Sequence, residues 1–509
     1  MEMESRRRKR IAVFMAFGTK GDVHPVAALC GAFACDQREC NVFLVTHSAH
    51  EDLSSHLAAL NVTYVPISSP PVLAVSGDEE NQDEIDSFAR KKKMIAKEHR
   101  QECVTVMEKI YGDGLSLKGD FVVINFFALE GWSLAELYGV PCVVAAPYVV
   151  PYSAPSSFER RFIEELPLLY KYLQQAPAGK VSWRDVLHWM WPLFTDDWGT
   201  WRSEDLRLSA LPFTDPVTDV PSWHDRFPSP LLLYGFSEEV VECPGYWPSS
   251  IHVCGFWFPP AQWQFSCSKC RESYLSASLG HPRVAQELCS GHVDLLHFLA
   301  SKEFPPPIFV GLSSIGSMGF MKNPQAFLRV LQSVSRGRSH RFVLFSGGYE
   351  PLNTAVQEIA AQTSTSKQDG SDRVSLFEDH LFYFSGSVPY DWLFPKCLAA
   401  IHHGGSGSTS AALRAGLPQV ICPFMLDQFY WAQRMSWLGV APEPLKRSQL
   451  LPDTNDASSI AEAAQALSEA IAHALIYEVK ARASEIAARI SHENGIGKAV
   501  KILNERVIQ

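Results

Sequence analysis

The chain has 509 residues, too many for one ordinary core, so two or three domains are expected. Its 46% hydrophobic and 20% charged residues are those of a globular protein and exclude a disordered one. A formal net charge of −10 leaves no basic footprint, which argues against a nucleic-acid partner; an anionic ligand would be held by local dipoles rather than by an overall field.

The first element, in MEMESRRRKRIAVFMAFGTKGD, imitates a signal peptide. Its apolar run covers only residues 11–17, with no small-residue cleavage site behind it, and it reads as a buried strand after a solvated basic arm. Further strands are expected at NVFLVT, VTYVPI, FVVINF and CVVAAPY. Between them lie HPVAALCGAFAC, a charged amphipathic piece near residues 84–111, and LEGWSLAELYG, all helix-like. The run YGVPCVVAAPYVVPYSAP is cut by Pro141, Pro147, Pro151 and Pro155 and is no membrane span. Residues 156–204 form an aromatic helical excursion with Trp183, Trp189, Trp191, Trp198 and Trp201. Most of these are expected to pack helices, with Trp189 and Trp191 offered as part of an apolar wall for a flat, bulky ligand.

A connecting region follows, over residues 241–305, and it carries four spaced ligand-type residues. Cys267, Cys270, Cys289 and His292 form C-x2-C-x18-C-x2-H, which is compatible with a tetrahedral zinc site. The competing reading is a cysteine-bearing surface insertion that matches by accident, and it is preferred here, so no metal is expected. Twelve cysteines at scattered spacings otherwise suggest reduced thiols in a cytoplasmic protein.

After KEFPPP a second strand series reads IFVGLSS, RFVLFSG, LFYFSGSV, LAAIHHG and QVICPF, again with helices between. Two such series give an α/β chain of two doubly wound domains, 1–240 and 306–480. The alanine-rich residues 481–509 are expected to form helix that packs back across both.

Two turns carry chemistry. In FGTKGDVHP, Asp22 is either a helix cap or a general base, with His24 as the competing base; the helix is expected to begin at Pro25. In IHHGGSGSTSAALRAG, Ser406, Gly407, Ser408 and Thr409 would open a helix whose first amides lack intrahelical partners, which suits a diphosphate. One of the two histidines can add a hydrogen bond. There is no P-loop lysine and no GxGxxG, so neither ATP hydrolysis nor a dinucleotide is supported.

The wider segment VPYDWLFPKCLAAIHHGGSGSTSAALRAGLPQVICPFMLDQFYWAQRMSWLGVAPEPL resembles the donor-binding signature of the family 1, UDP-dependent glycosyltransferases. Within them it is similar to the sterol 3-beta-glucosyltransferase and antibiotic-glycosyltransferase branch. GTKGDVHP, FVVINFFALEGWSLAELYGVPCVVAAPY, PLLLYGFSEEVVECPGYWPSSIHVCGFWF and PPIFVGLSSIGSM extend the likeness over most of the chain outside residues 156–230 and 262–300.

The resemblance implies a GT-B fold: two facing Rossmann-like domains with a cleft between them, acceptor on the first and nucleotide-sugar on the second. It implies that His403, Gly405, Ser406, Gly407, Ser408 and Thr409, with Ser313 and Ser314, hold the donor diphosphate. Asp427 and Gln428 would bind the donor sugar, and Ser387 and Val388 would lie on the nucleobase side. Asp22 falls at the base position, ahead of His24, and Asn125 at its acceptor-side partner position; Asp22 needs no carboxylate partner to be ionised at neutral pH. The implied reaction is inverting transfer of a hexose, glucose first, from a UDP-sugar to a sterol or related polycyclic alcohol, with no cofactor and no metal. Contact with a membrane would be peripheral. Triterpenoid or flavonoid acceptors, a UDP-sugar epimerase and a non-catalytic lipid-binding relative are the alternatives.

Overall fold

The structure is a computed structural model, and it describes residues 9–72, 82–112, 116–148, 167–175, 200–208, 231–241, 243, 249–278, 288–338, 340–363 and 373–508. The chain forms two compact units. The first is built from residues up to Phe258 together with Glu493–Gln509, and the second from Pro259–His492.

The first unit holds one seven-stranded sheet: β1 (Arg10–Met15), β2 (Cys40–His47), β3 (Val62–Ile67), β4 (Phe121–Ile124), β5 (Cys142–Ala146), β6 (Leu231–Tyr234) and β7 (Ile251–Val253). All neighbours are parallel, in the order β3-β2-β1-β4-β5-β6-β7. The central strands are buried along nearly their whole length, as expected when helices cover both faces, so they read as unbroken apolar runs. The order reverses between β1 and β4, and this places a crevice at their carboxyl ends. β6, within the expected first domain, and β7, within the expected connecting region, were not read as strands: they are four and three residues long and sit among prolines.

The second unit repeats the plan with six strands: β8 (Ile308–Gly311), β9 (Phe342–Phe345), β10 (Arg373–Leu376), β11 (Leu381–Phe384), β12 (Ala400–His402) and β13 (Gln419–Ile421). Their order is β10-β11-β9-β8-β12-β13, with β10 an antiparallel edge strand that the sequence pattern did not announce. Here the reversal lies between β8 and β12, whose register pairs His402 with Gly311.

Residues 241–305 do not stand apart as a connector, since the boundary between units falls inside them, at Phe258. The tail is two helices rather than one. Tyr477–Ile490 packs on the Ser406–Arg414 helix in the second unit, and Gly495–Leu503 packs on the Lys20–Asp36 helix in the first. No helix among the described residues is long and apolar enough to cross a membrane.

Candidate active site

The first crevice is built by the turn after β1. Gly18 has φ +101°, a conformation that favours glycine, and a Cβ there would lie 2.6 Å from Asp22 Oδ2. The helix then starts at Lys20, not at Pro25, because Thr19 and Asp22 close a capping box. Asp22 Oδ2 accepts from Thr19 N at 2.7 Å and from Thr19 Oγ1 at 2.8 Å. Oδ1 accepts no hydrogen bond from a described residue. Asp22 is therefore a cap through one oxygen and available through the other. Burial raises its pKa to about 6, against the two Thr19 hydrogen bonds, which lower it.

His24 is a weaker base by the same reasoning. Its ring is buried, and burial lowers its pKa to about 3, with Lys20 acting in the same direction. Asn125 is buried and its amide is spent on the backbone. Its Oδ1 accepts from Phe17 N and Phe127 N, both at 3.2 Å, and its Nδ2 donates to Phe17 O at 2.7 Å and Asp22 O at 3.2 Å. Asn125 thus braces the turn through the main chain of Asp22 rather than meeting its carboxylate. Trp189 and Trp191 lie outside the described residues. Trp201 is buried, in keeping with helix packing, beside Arg202, which donates to Ser133 Oγ at 2.7 Å and Glu136 Oε2 at 2.8 Å.

Sequence reading missed a group of histidines around this crevice. His50 Nε2 donates to Gly18 O at 2.9 Å, which fixes the glycine turn. Ser69 Oγ bridges His47 Nδ1 at 3.2 Å and His99 Nδ1 at 2.7 Å, and both rings pack on Phe17. Burial lowers the pKa of His47 to about 4, so its ring is neutral at physiological pH. The signal was present in VTHSAH at the end of β2, which lies next to β1 in the sheet.

The second crevice follows β12. Gly404 has φ +86°, and a Cβ there would stand 2.9 Å from Ile421 Cγ2 and 3.0 Å from Gln428 O. Gly404 N donates to His402 Nδ1 at 3.0 Å, so the ring proton is on Nε2, which donates to Gln419 Oε1 at 2.8 Å. His402 is fully buried and serves as the brace of the turn. His403 faces a different environment. Its Nδ1 is buried without a hydrogen-bond partner among the described residues. Burial lowers its pKa to about 3, with His402 adding to the effect and the Gly311 main chain opposing it.

Gly405 is the N-cap of the Ser406–Arg414 helix, and no side chain caps that end. A Cβ on Gly405 would lie 2.4 Å from His403 Nε2, so the imidazole can hold its position only over a glycine. Gly407 is exposed, with nothing within 4 Å of where a Cβ would be, while Ser406, Ser408 and Thr409 are buried. Thr409 Oγ1 is buried with no partner among the described residues, whereas the Ser408 hydroxyl is engaged by Tyr390. Uncapped amides and a positive dipole end, with the His403 ring held against Gly405, are the features that suit a helix start to an anion.

The remaining predicted residues flank this helix start. Gln428 Oε1 accepts from Phe424 N at 2.9 Å and Met425 N at 3.1 Å, which fixes the amide's orientation and leaves Nε2 with no partner among the described residues. Asp427 is the N-cap of the Gln428–Trp437 helix, and its Oδ2 accepts from Trp431 Nε1 at 2.9 Å. Ser313 and Ser314 form a short 3-10 turn directly after β8, on the strand that pairs with β12. Ser387 and Val388 follow β11; Ser387 Oγ donates to Gln264 O at 2.9 Å, and Val388 is buried.

Two doubly wound units, each with a chemistry-bearing turn at its switch point, define the class as a GT-B glycosyltransferase fold. Solved structures agree. The calicheamicin glycosyltransferase CalG4 matches with a TM-score of 0.57 at 16% identity, over 99% of this chain and 100% of its own. The spinosyn rhamnosyltransferase SpnG matches at 0.52 and 15%, over 97% of this chain and 100% of its own.

Sequence comparisons narrow the class. Residues 379–493 match the family model of the erythromycin biosynthesis protein CIII-like C-terminal domain. The sterol 3-beta-glucosyltransferase UGT80B1 of Arabidopsis thaliana is 24% identical over 97% of this chain and 67% of its own length. The sterol 3-beta-glucosyltransferase of Debaryomyces hansenii is 24% identical over 96% of this chain but only 26% of its own length. Over nearly its whole length the chain is thus similar to sterol 3-beta-glucosyltransferases, and part of its second unit resembles an antibiotic-biosynthesis glycosyltransferase domain.

Proposed function

We propose that this protein is an inverting glycosyltransferase that moves a hexose, glucose first, from a UDP-sugar to the hydroxyl of a sterol or related polycyclic alcohol. The observation that carries the proposal is the uncapped start of the Ser406–Arg414 helix, with the His403 ring held against its N-cap, Nε2 lying 2.4 Å from where a Cβ on Gly405 would stand. A departing nucleoside diphosphate supplies the negative charge this arrangement lacks. The names of the sterol glucosyltransferase relatives support the choice of sugar and acceptor.

In this scheme Asp22 Oδ1 takes the acceptor's hydroxyl proton. The freed oxygen forms a bond to the anomeric carbon as the bond from that carbon to the diphosphate breaks, through an oxocarbenium-like transition state. The electron pair leaves with UDP, where the amides of residues 406–408 and a neutral His403 N–H receive the growing charge. Gln428 Nε2 and Asp427 orient the sugar hydroxyls. The scheme uses no cofactor and no catalytic metal. Twelve cysteines, none in a disulfide, fit a cytoplasmic enzyme that meets its acceptor at a membrane surface.

An acceptor panel with UDP-glucose as donor tests the substrate class. Faster turnover of sterols than of flavonoids or pentacyclic triterpenoids is expected. Turnover of flavonoids with none of sterols would move the acceptor to another class.

A further inference from the structure

We infer that Cys267, Cys270, Cys289 and His292 form a structural zinc site that ties the start of the Ser268–Ser278 helix to the Ser290–His292 turn. The sequence spacing alone read better as an accidental match, and the geometry reverses that preference. All four ligand atoms lie within 4.8 Å of one another, the only such group among the described residues. Cys270 Sγ stands 3.4 Å from Cys289 Sγ, and Cys267 Sγ stands 4.0 Å from it. His292 Nδ1 is 3.3 Å from both Cys270 Sγ and Cys289 Sγ. A tetrahedral zinc with ordinary Zn–S and Zn–N bonds has S···S edges of about 3.8 Å and S···N edges of about 3.6 Å. The cluster already has the size of that polyhedron.

Local structure delivers the ligands as two short hooks. Cys267 precedes the Ser268–Ser278 helix and Cys270 lies in its first turn. Cys289 is the N-cap of the 3-10 turn Ser290–His292, so C-x2-H brings sulfur and imidazole to one side. Cys289 N donates to Cys270 Sγ at 3.5 Å, the kind of amide contact that supports a metal thiolate. The imidazole is set edge-on against Phe384, with ring centroids 5.4 Å apart. Cys270 is buried in an apolar cluster with Phe265, Leu288 and Phe384, where a group of thiols gains little unless a metal gathers them. Three thiolates and one imidazole in a closed set select zinc, and they leave no open position for catalysis.

The site also bears on the donor domain. Ser266 adjoins Cys267; Ser387 N donates to Ser266 Oγ at 2.8 Å, and Ser266 N donates to Ser387 O at 3.1 Å. The metal thus anchors the loop after β11, and this second consequence rests on the reading of Ser387 and Val388 as the nucleobase side.

The test is elemental analysis of full-length protein purified without chelator, with a cobalt-substituted sample alongside. One zinc per chain, and cobalt bands of a tetrahedral thiolate site, are expected. The double variant C270S/C289S should lose the metal, lower the melting temperature and weaken UDP binding. Metal-free folded protein with titratable thiols would overturn the inference, as would a disulfide among the three cysteines or metal retained by the double variant. If the variant does not fold, the cobalt spectrum of the unaltered chain decides. Zinc present in a protein that does not bind UDP would leave the metal site standing and remove the donor-site reading instead.

Discussion

Asp22→Asn separates the two roles of Asp22 in opposite directions. An asparagine oxygen can still accept from Thr19 N and Thr19 Oγ1, so the capping box survives. What disappears is the charge. Burial raises the carboxyl pKa from 3.8 to about 6, which corresponds to about 3 kcal/mol disfavouring the ionised form in the folded state. The sign follows from the direction. The folded chain binds this proton more tightly than the unfolded chain, so the contribution of Asp22 to stability is greatest below pH 3.8 and is lost as pH rises through about 6.

The neutral variant avoids that loss, and at pH 8 it should be more stable than the parent by up to about 3 kcal/mol, with no gain at acid pH. Transfer should fall by about 10²- to 10⁴-fold, the usual contribution of a general base. In the parent protein, kcat/KM should rise with pH through about 6. Initial rates of steryl glucoside formation and thermal melts at two pH values measure both effects. A variant that keeps rates within tenfold of the parent, or that melts lower at pH 8, would refute the assignment.

Other outcomes follow from the second crevice. His403→Ala should weaken UDP binding by about 10- to 150-fold in calorimetry, the value of a hydrogen bond to a charged group. Gly405→Ala puts a methyl where His403 Nε2 stands 2.4 Å away, so it should weaken UDP binding at least as much with the histidine still present. Gln419→Ala leaves the buried His402 Nε2 proton without its acceptor and should cost about 1–3 kcal/mol of stability, read as a lower melting temperature.

Much of this was legible in the sequence because parallel strands buried on both faces are apolar throughout. Ten of the thirteen strands were read from the sequence, and β6, β7 and β10 were not, although β6 is itself an unbroken buried apolar run. Those three are short edge-side strands whose place is settled by pairing with neighbours, a long-range effect that no local pattern carries. The same contrast holds at the site. His403 and the glycine run were visible because a turn rich in small residues advertises close approach. The start of the first helix was misplaced because Pro25 suggested a first turn, while the Thr19–Asp22 capping box had already begun it. The histidines at 47, 50 and 99 were missed because they converge from three separate elements, the end of β2, the 3-10 turn after it and the Gln82–Tyr111 helix. The Cys/His cluster shows the limit most clearly: spacing left accident as the better reading, and only distances could reverse it.

The central claim is most directly tested by identifying every product formed from UDP-glucose with and without a sterol. The account predicts a β-linked steryl glucoside and one UDP released per glucoside, with no UDP released when the sterol is absent. Release of UDP without acceptor, an unchanged sterol, or an α-linked glucoside would contradict it.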